Sequence, residues 1–517
     1  MSRPDPAQAP LFQPRRPGLV ALVLFVVVAA VLCWPMLQGR FLLGDDQYVA
    51  GYGFRLFGAE QFRQTGRIPE WNPYLFGGLP YIAAQHGDIF YPTAWLRWFL
   101  PVDTAMNLGF AVHLVLAGLT MYALLRALRV SWSGAVAGGV AYELTGIVAS
   151  LVKPGHDGKL FVSALAPLAF LALLRAIRDR RPGGYALLAL TVGLCLLSPH
   201  YQMTYYLLVA AGIWTLYLVF LDPDRPTGLS RPLAVGLAFG AVVLGVAIAA
   251  IQVLPFLSYI PFSPRAAGGP SGGWVYATSF SMPPEEILTT VLPQFNGILE
   301  GYWGRNFFKL HTEYLGAVVV VLAVLGIGDP GRRSLVRALG AIAVLFLLVA
   351  FGGHTPFYRL WYELMPMMKK VRAPGMAFFL VALAMAVFAG LGTDRLLRRA
   401  VALRTLAITL GVLAVLGLLG LTGALGSLAG ALAAPEQAGR VAANAAAIQG
   451  GAARLLVVVL AATAVLWSVR EGKLGGLGAA LALTAVITGD LWSVDRRFFE
   501  FRDPASRLYA DDPVTSR

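Results

Sequence analysis

Long runs of residues without charge govern what this chain can become. The first, Gly18 to Leu37, carries no charged side chain. A helix needs roughly 20 apolar residues to cross about 30 Å of hydrocarbon. A cleaved signal peptide has a shorter apolar core and ends at a small-residue site. This run continues into Cys33, Trp34 and Pro35, so it reads as a retained first helix. Thirteen such runs lie near 18–37, 104–126, 133–151, 160–177, 185–198, 203–221, 233–257, 312–328, 338–352, 375–393, 405–432, 454–470 and 477–493. Lipid offers backbone groups no partner, so each is expected to be a helix. Charged residues make up 13% of the chain, about half the share in soluble domains. The expected class is an all-α polytopic membrane protein of about 13 transmembrane helices.

Arginine placement gives the expected orientation. Arg15 and Arg16 precede the first run. Further clusters follow in every second loop: Arg126/Arg129, Arg175/Arg178/Arg180/Arg181, Arg225/Arg231, Arg332/Arg333/Arg337, Arg395/Arg398/Arg399/Arg404 and Arg470/Lys473. That side is expected to be cytoplasmic. Residues 1–17 form an inner tail, 18–493 the membrane domain, and 494–517 an outer tail, either short in itself or cut before a further outer domain. The net charge of +14 then reflects topology and anionic lipid rather than nucleic acid.

Most of the long polar sequence falls on the outer side, in 38–103, 258–311, 353–374 and 433–453. Loops of this length are usually functional or structured. In the first, apolar and aromatic residues from Tyr48 to Gln64 recur at helical spacing, as in a helix lying in the membrane interface. The stretch after it is dense in Trp, Tyr, Pro and Gly.

Candidate chemistry gathers on the same side. Asp45 and Asp46 follow Gly44 just beyond the first run. A carboxylate at the mouth of a membrane cavity suits a general base or a divalent cation such as Mg or Mn; solvated interface charge is the plain alternative. Asp88, after His86 and Gly87, could bind substrate or make a turn. The loop Lys153-Pro154-Gly155-His156-Asp157-Gly158-Lys159 concentrates ionisable groups between two apolar runs and could hold a phosphate, or be snorkelling lysines around a turn. His200, Tyr201 and Gln202 bring imidazole, phenol and amide to that side. Glu285, Tyr302 and Trp303 could form a carbohydrate platform. Arg305, Arg359, Lys370 and Arg372 are candidate lipid-phosphate ligands, and Lys369 lies beside them. Glu143 sits inside a run, where an acid is a functional candidate by default. Cys33 and Cys195, the two cysteines, both fall in apolar runs and imply packing rather than disulfides. There is no P-loop, dinucleotide fingerprint, HExxH or GxSxG motif.

Taken in order, Gly44-Asp45-Asp46, Pro69-Glu70-Trp71-Asn72-Pro73-Tyr74, Gly77-Gly78-Leu79-Pro80, Gln85 with Tyr91-Pro92, Gly155-His156, His200-Tyr201-Gln202, Tyr302-Trp303-Gly304, Tyr314-Leu315-Gly316, Thr355-Pro356-Phe357-Tyr358 and Arg372-Ala373-Pro374 resemble the YfhO family of bacterial membrane proteins, placed in the GT-C superfamily of glycosyltransferases. The resemblance implies a GT-C-like fold in the bacterial inner membrane. It also implies an acidic residue of the first outer loop as catalytic base, matched here by Asp45 and Asp46 without a choice between them. The implied donor is a sugar on polyprenyl phosphate, with inversion at the anomeric carbon and a cell-envelope glycan or lipid as acceptor. Two other readings stand beside it: a transporter or flippase of lipid-linked saccharides, whose polar sites belong near the bilayer midplane, and a non-catalytic envelope-assembly protein.

Overall fold

The computed structural model describes residues 11–510 except 229, 267, 268 and 270. The described residues are mostly helical. α1 (Pro17–Cys33) leads into the first long loop, which holds α2 (Tyr52–Thr65). α3 (Val102–Ala127), α4 (Trp132–Glu143), α5 (Gly146–Ala149), α6 (Asp157–Ile177), α7 (Gly183–Leu197) and α8 (Tyr201–Leu216) follow. Then come α9 (Arg231–Ile248), α10 (Ala250–Tyr259), α11 (Gly273–Thr278), α12 (Ala317–Ile327), α13 (Arg333–Phe351), α14 (Phe357–Leu364) and α15 (Phe378–Leu397). α16 (Leu403–Leu421), α17 (Ala424–Leu432), α18 (Ala438–Arg470) and α19 (Gly476–Asp495) complete the bundle.

All thirteen apolar runs fall on helices, but thirteen full spans is too many. Ten described helices are long and apolar enough to cross a membrane, or eleven if the pair α4 and the segment Gly146–Val152, bent by 46°, counts as one. The runs at 185–198 and 312–328 contain the shorter helices α7 and α12. The run at 233–257 is two helices parted at Ala249, and the run at 405–432 is also two, α16 and α17. Segment 433–453, expected as a loop, is mostly the first turns of α18. Its Ala-rich sequence carries no proline after Pro435, so nothing stops the helix before the span begins.

The centre of the bundle is α6 and the helix entering at Pro374, whose apolar windows are 89% and 94% buried. α9 and α16 stay mostly uncovered, with Leu237, Phe239, Val243, Val412 and Val415 exposed; these faces meet lipid. Glycine permits the closest helix contact. A Cβ on Gly326 of α12 would sit 1.9 Å from the Phe388 carbonyl of α15, and one on Gly392 would sit 1.8 Å from the Leu322 carbonyl. Small residues at such a crossing let two backbones touch.

The basic loops join one another at one end of the bundle. Arg178 pairs with Asp222 at 2.6 Å and Arg129 with Asp224 at 3.5 Å. Arg332 donates to the Leu128 carbonyl at 2.8 Å, and Arg470 to that of Val401 at 3.2 Å. At the other end the C-terminal segment is docked. Strand β1 (Phe41–Leu42) pairs antiparallel with β2 (Phe501–Arg502), and Arg40 meets Asp503 at 2.7 Å. Tyr509 stacks on Tyr52 of α2 with ring centroids 4.6 Å apart.

Candidate functional site

Two glycines bring the first outer loop onto the loop before α6. A Cβ on Gly44 would lie 2.3 Å from the Gly155 nitrogen and 2.5 Å from the Val152 carbonyl. Gly155 itself has φ +76°, a conformation that suits glycine, and a Cβ there would strike Gln47. With both side chains absent the loops zip together. Asp45 N donates to the Lys153 carbonyl at 2.9 Å and Asp46 N to that of Pro154 at 3.1 Å. The Gln47 amide donates to the Gly155 carbonyl at 2.8 Å.

This register sends the two neighbouring carboxylates apart. Asp45 pairs with Lys153 at 2.8 Å, and Lys153 also holds Glu500 of the C-terminal segment at 2.6 Å. Asp46 turns the other way and meets His156 Nε2 at 2.9 Å. His156 Nδ1 lies 2.7 Å from Lys159 Nζ. The Asp46 carboxylate only accepts, so Nε2 carries the proton donated to it and Nδ1 accepts from Lys159. The imidazole is therefore neutral. Its basicity falls to about 4, first through burial and then through the charge of Lys159, against the pull of Asp46. The hydrogen bond from His156 in turn holds the Asp46 carboxyl below its ordinary value, outweighing partial burial, with help from Lys159 and Arg372. Asp46 remains the more open of the two acids, at 69% side-chain exposure against 44% for Asp45.

Asp46 and His156 border a cavity of about 880 Å³. Asp157, Lys159, His200, Tyr201, Gln202, Lys370 and Arg372 line it as well. A close contact of Gly158 with the Ser198 carbonyl sets the His200 loop against this wall. His200 is kept neutral, first by burial and then by the nearby Lys159 and His156. The Gln202 amide donates to the Arg372 carbonyl at 2.6 Å, fixing the loop that presents Lys370 and Arg372.

Asp45, His86, Asp88, Glu285, Tyr302, Trp303, Arg305 and Arg359 lie off the cavity. Asp88 is buried between Arg55, at 3.3 Å, and Arg97, at 2.8 Å. Burial opposes its charge, but Arg97 and Arg55 keep its carboxyl below the usual range. His86 is buried and stacks on Phe54. Tyr302 and Trp303 offer no face for a sugar: both are 2% exposed, with Tyr302 donating to Glu286 at 2.5 Å and Trp303 to the Phe295 carbonyl at 2.6 Å. Arg305 pairs with Glu285 at 2.8 Å. Arg359 lies over Trp274 and pairs with Glu363 at 3.1 Å.

Other lining residues carried no sequence signal. Arg55 of α2 reaches inward to Asp157 and to Gln47 at 2.9 Å. Lys309 is gripped by Glu286 and Glu313, and His311 meets Glu313 at 3.2 Å. Arg265 also lines the cavity. Among the described residues Arg265, Lys370 and Arg372 have no acidic partner within 4.0 Å, whereas Arg55 and Lys309 do. Arg372 instead lies over Tyr276 and Phe280, at 5.6 and 5.8 Å from their ring centroids. The same cavity has apolar lining: Val246, Val253, Phe256, Leu257 and Ile260, from α9, α10 and the turn after them. Leu257 is also half exposed on the outer face of α10. The cavity thus combines uncompensated cations, one open carboxylate and a hydrocarbon-compatible side.

The described residues contain no group of three or more His, Cys, Asp or Glu able to hold a metal ion. Asp45 and Asp46 do not converge as a chelating pair. Of the two, only Asp46 lines the cavity, where Asp157, paired with Arg55, is the other lining carboxylate.

A family model spans residues 89–422. The chain belongs to the family of membrane proteins described as 6-pyruvoyl-tetrahydropterin synthase related domains. That family match includes the loop before α6, the His200 loop and Arg372, while Asp45 and Asp46 precede it. No curated protein matches. Among solved structures, ArnT from Cupriavidus metallidurans in the apo state is similar over 92% of this chain and 76% of its own, with TM-score 0.50 and 17% identity. The same protein bound to undecaprenyl phosphate gives 0.48 and 15%, covering 92% and 77%. Arabinofuranosyltransferase AftD from Mycobacteria gives 0.48 and 16%, covering 91% of this chain and 28% of its own. At these identities the likeness is one of fold, and the fold is GT-C-like.

Proposed function

We propose that the protein is a glycosyltransferase of the bacterial inner membrane. It takes a sugar from a polyprenyl-phosphate donor and passes it to a cell-envelope glycan or lipid on the extracytoplasmic side. The observation that carries this reading is one cavity shared by Asp46, the unpaired Arg265, Lys370 and Arg372, and the apolar wall of α9 and α10. A lipid phosphate needs cations beside hydrocarbon, and an acceptor hydroxyl needs a base open to water. The motifs that resemble the YfhO family fall on this cavity at Asp46, Gln85, His156, His200 and Arg372.

The chemistry follows from the placement. The acceptor oxygen attacks the anomeric carbon from the face opposite the phosphate, and a new C–O bond forms with inversion. The bond from that carbon to the phosphate oxygen breaks, and its electron pair leaves with the polyprenyl phosphate. Lys370, Arg372 and Arg265 stabilise the charge that gathers there. The proton of the acceptor hydroxyl passes to Asp46, which His156 keeps ionised and oriented. Asp45, tied to Lys153, holds the loop in register instead. A divalent cation, if used, would take Asp46 as its carboxylate from this pair.

Proteoliposomes containing the purified chain and a polyprenyl-phosphate sugar test the reading. Formation of a new glycosidic bond, with release of polyprenyl phosphate, is the expected result. Movement of the donor between leaflets with no new bond would instead establish a flippase.

A further inference from the structure

At the cavity wall, two lining polar side chains and a third that is buried meet without satisfying one another. Gln85 and Tyr201 line the cavity, and Gln252 of α10 is 1% exposed. Both amides lie within hydrogen-bonding reach of the Tyr201 hydroxyl, but without the geometry of a well-formed bond. Among the described residues, the Tyr201 oxygen, Gln85 Nε2 and both polar atoms of Gln252 lack hydrogen-bond partners. Buried polar groups in folded proteins are nearly always paired, and each exception calls for a cause. The backbone adds a second sign. Gln85 has φ +59°, a left-handed conformation uncommon for a residue other than glycine, and such strain collects where a side chain must be aimed.

We infer that Gln85 and Tyr201, with Gln252 positioning the phenol, form the subsite that recognises the hydroxyls of an uncharged sugar ring on the lipid donor. This rests on the transferase reading and deepens it. An amide offers two donors and two acceptor lone pairs, and a phenol can donate and accept. Sugar hydroxyls have the same dual character. A phosphate would be poorly served by carbonyl acceptors and is better served by the cations elsewhere in the cavity. Phe256 stacks at a tilt on Tyr201, 4.7 Å between centroids, and gives the subsite an apolar floor for the ring C–H faces. The three side chains come from the first outer loop, the start of α8 and the helix after the Ala249 break, so the subsite exists only in the assembled bundle.

Native mass spectrometry of the full chain tests this with undecaprenyl phosphate, bare or carrying one of a panel of neutral hexoses and pentoses. Wild type should prefer at least one sugar-bearing lipid over the bare one. Tyr201→Phe removes a single oxygen and Gln85→Leu a single amide. Each should weaken binding of the preferred lipid by roughly fivefold to tenfold, as expected for one neutral hydrogen bond, while bare undecaprenyl phosphate binds within about twofold of wild type. If Gln85→Leu fails to fold, Tyr201→Phe and Gln252→Leu still give the reading. An unchanged sugar preference in every variant that folds overturns the subsite, as does a wild type that prefers no sugar. Binding of neither lipid by wild type overturns the transferase reading along with it.

Discussion

At the scale of single residues, the neighbours Asp45 and Asp46 have separate fates, fixed by the partner each one meets. Sequence offered both without a choice, because their divergence depends on the register between two loops far apart in the chain. The same register gives His156 a defined role. It donates to Asp46 and lowers the pKa of that carboxyl, so Asp46 stays ionised above the ordinary carboxylate range and loses its charge only below it. His156→Ala removes the donor and should move the acid limb of the pH–activity profile upward, toward the normal carboxylate value, with a lower maximum. An acid limb that does not move would show that His156 acts elsewhere. The aromatic pair Tyr302 and Trp303 misled the sequence reading for a related reason. Aromatic residues near a membrane surface can stack on sugars or fill a core, and only burial separates the two.

At the scale of elements, composition revealed the helices well and their ends poorly. Apolar runs identify a span whatever its neighbours, since lipid allows little else. The break in the run at 405–432 falls at Gly423, φ +84°. The packing of α12 on α15, where Gly326 and Gly392 leave no room for a side chain, depends on tertiary contacts. Gly392→Leu should abolish the folded protein, read as loss of the monodisperse peak in size-exclusion chromatography, while Gly411→Leu on the open face of α16, where nothing lies within 4 Å of the added Cβ, should be tolerated. The C-terminal segment is likewise an element whose role sequence did not show. Its strand, the Glu500–Lys153 pair and the Tyr509–Tyr52 stack brace the loop that carries Asp46. Glu500→Gln should lower thermal stability slightly, by less than about 1 kcal/mol for a partly exposed pair. Lys153→Met should cost more, because it leaves Asp45 and Glu500 facing each other unneutralised. Thermal unfolding in detergent would rank the two, and the reverse order would contradict the brace.

At the scale of the whole molecule, the arginine-rich loops meet one another at one end of the bundle. One end knots arginines to backbone carbonyls and aspartates, and the other builds the cavity. The proposal that the cavity end faces outward predicts labelling of Asn306→Cys by an impermeant thiol reagent on intact spheroplasts, and no labelling of Asp224→Cys until the membrane is opened. Cys33 and Cys195 are buried and should contribute little background. The opposite pattern would invert the topology and remove the extracytoplasmic reaction.

The most direct test compares sugar transfer from a polyprenyl-phosphate donor by Asp45→Asn and Asp46→Asn, each purified and shown to melt like wild type. The account predicts that Asp46→Asn loses roughly a hundredfold to ten-thousandfold in rate, while Asp45→Asn retains most of it. Equal activity of the two variants, or a greater loss at Asp45, would contradict it.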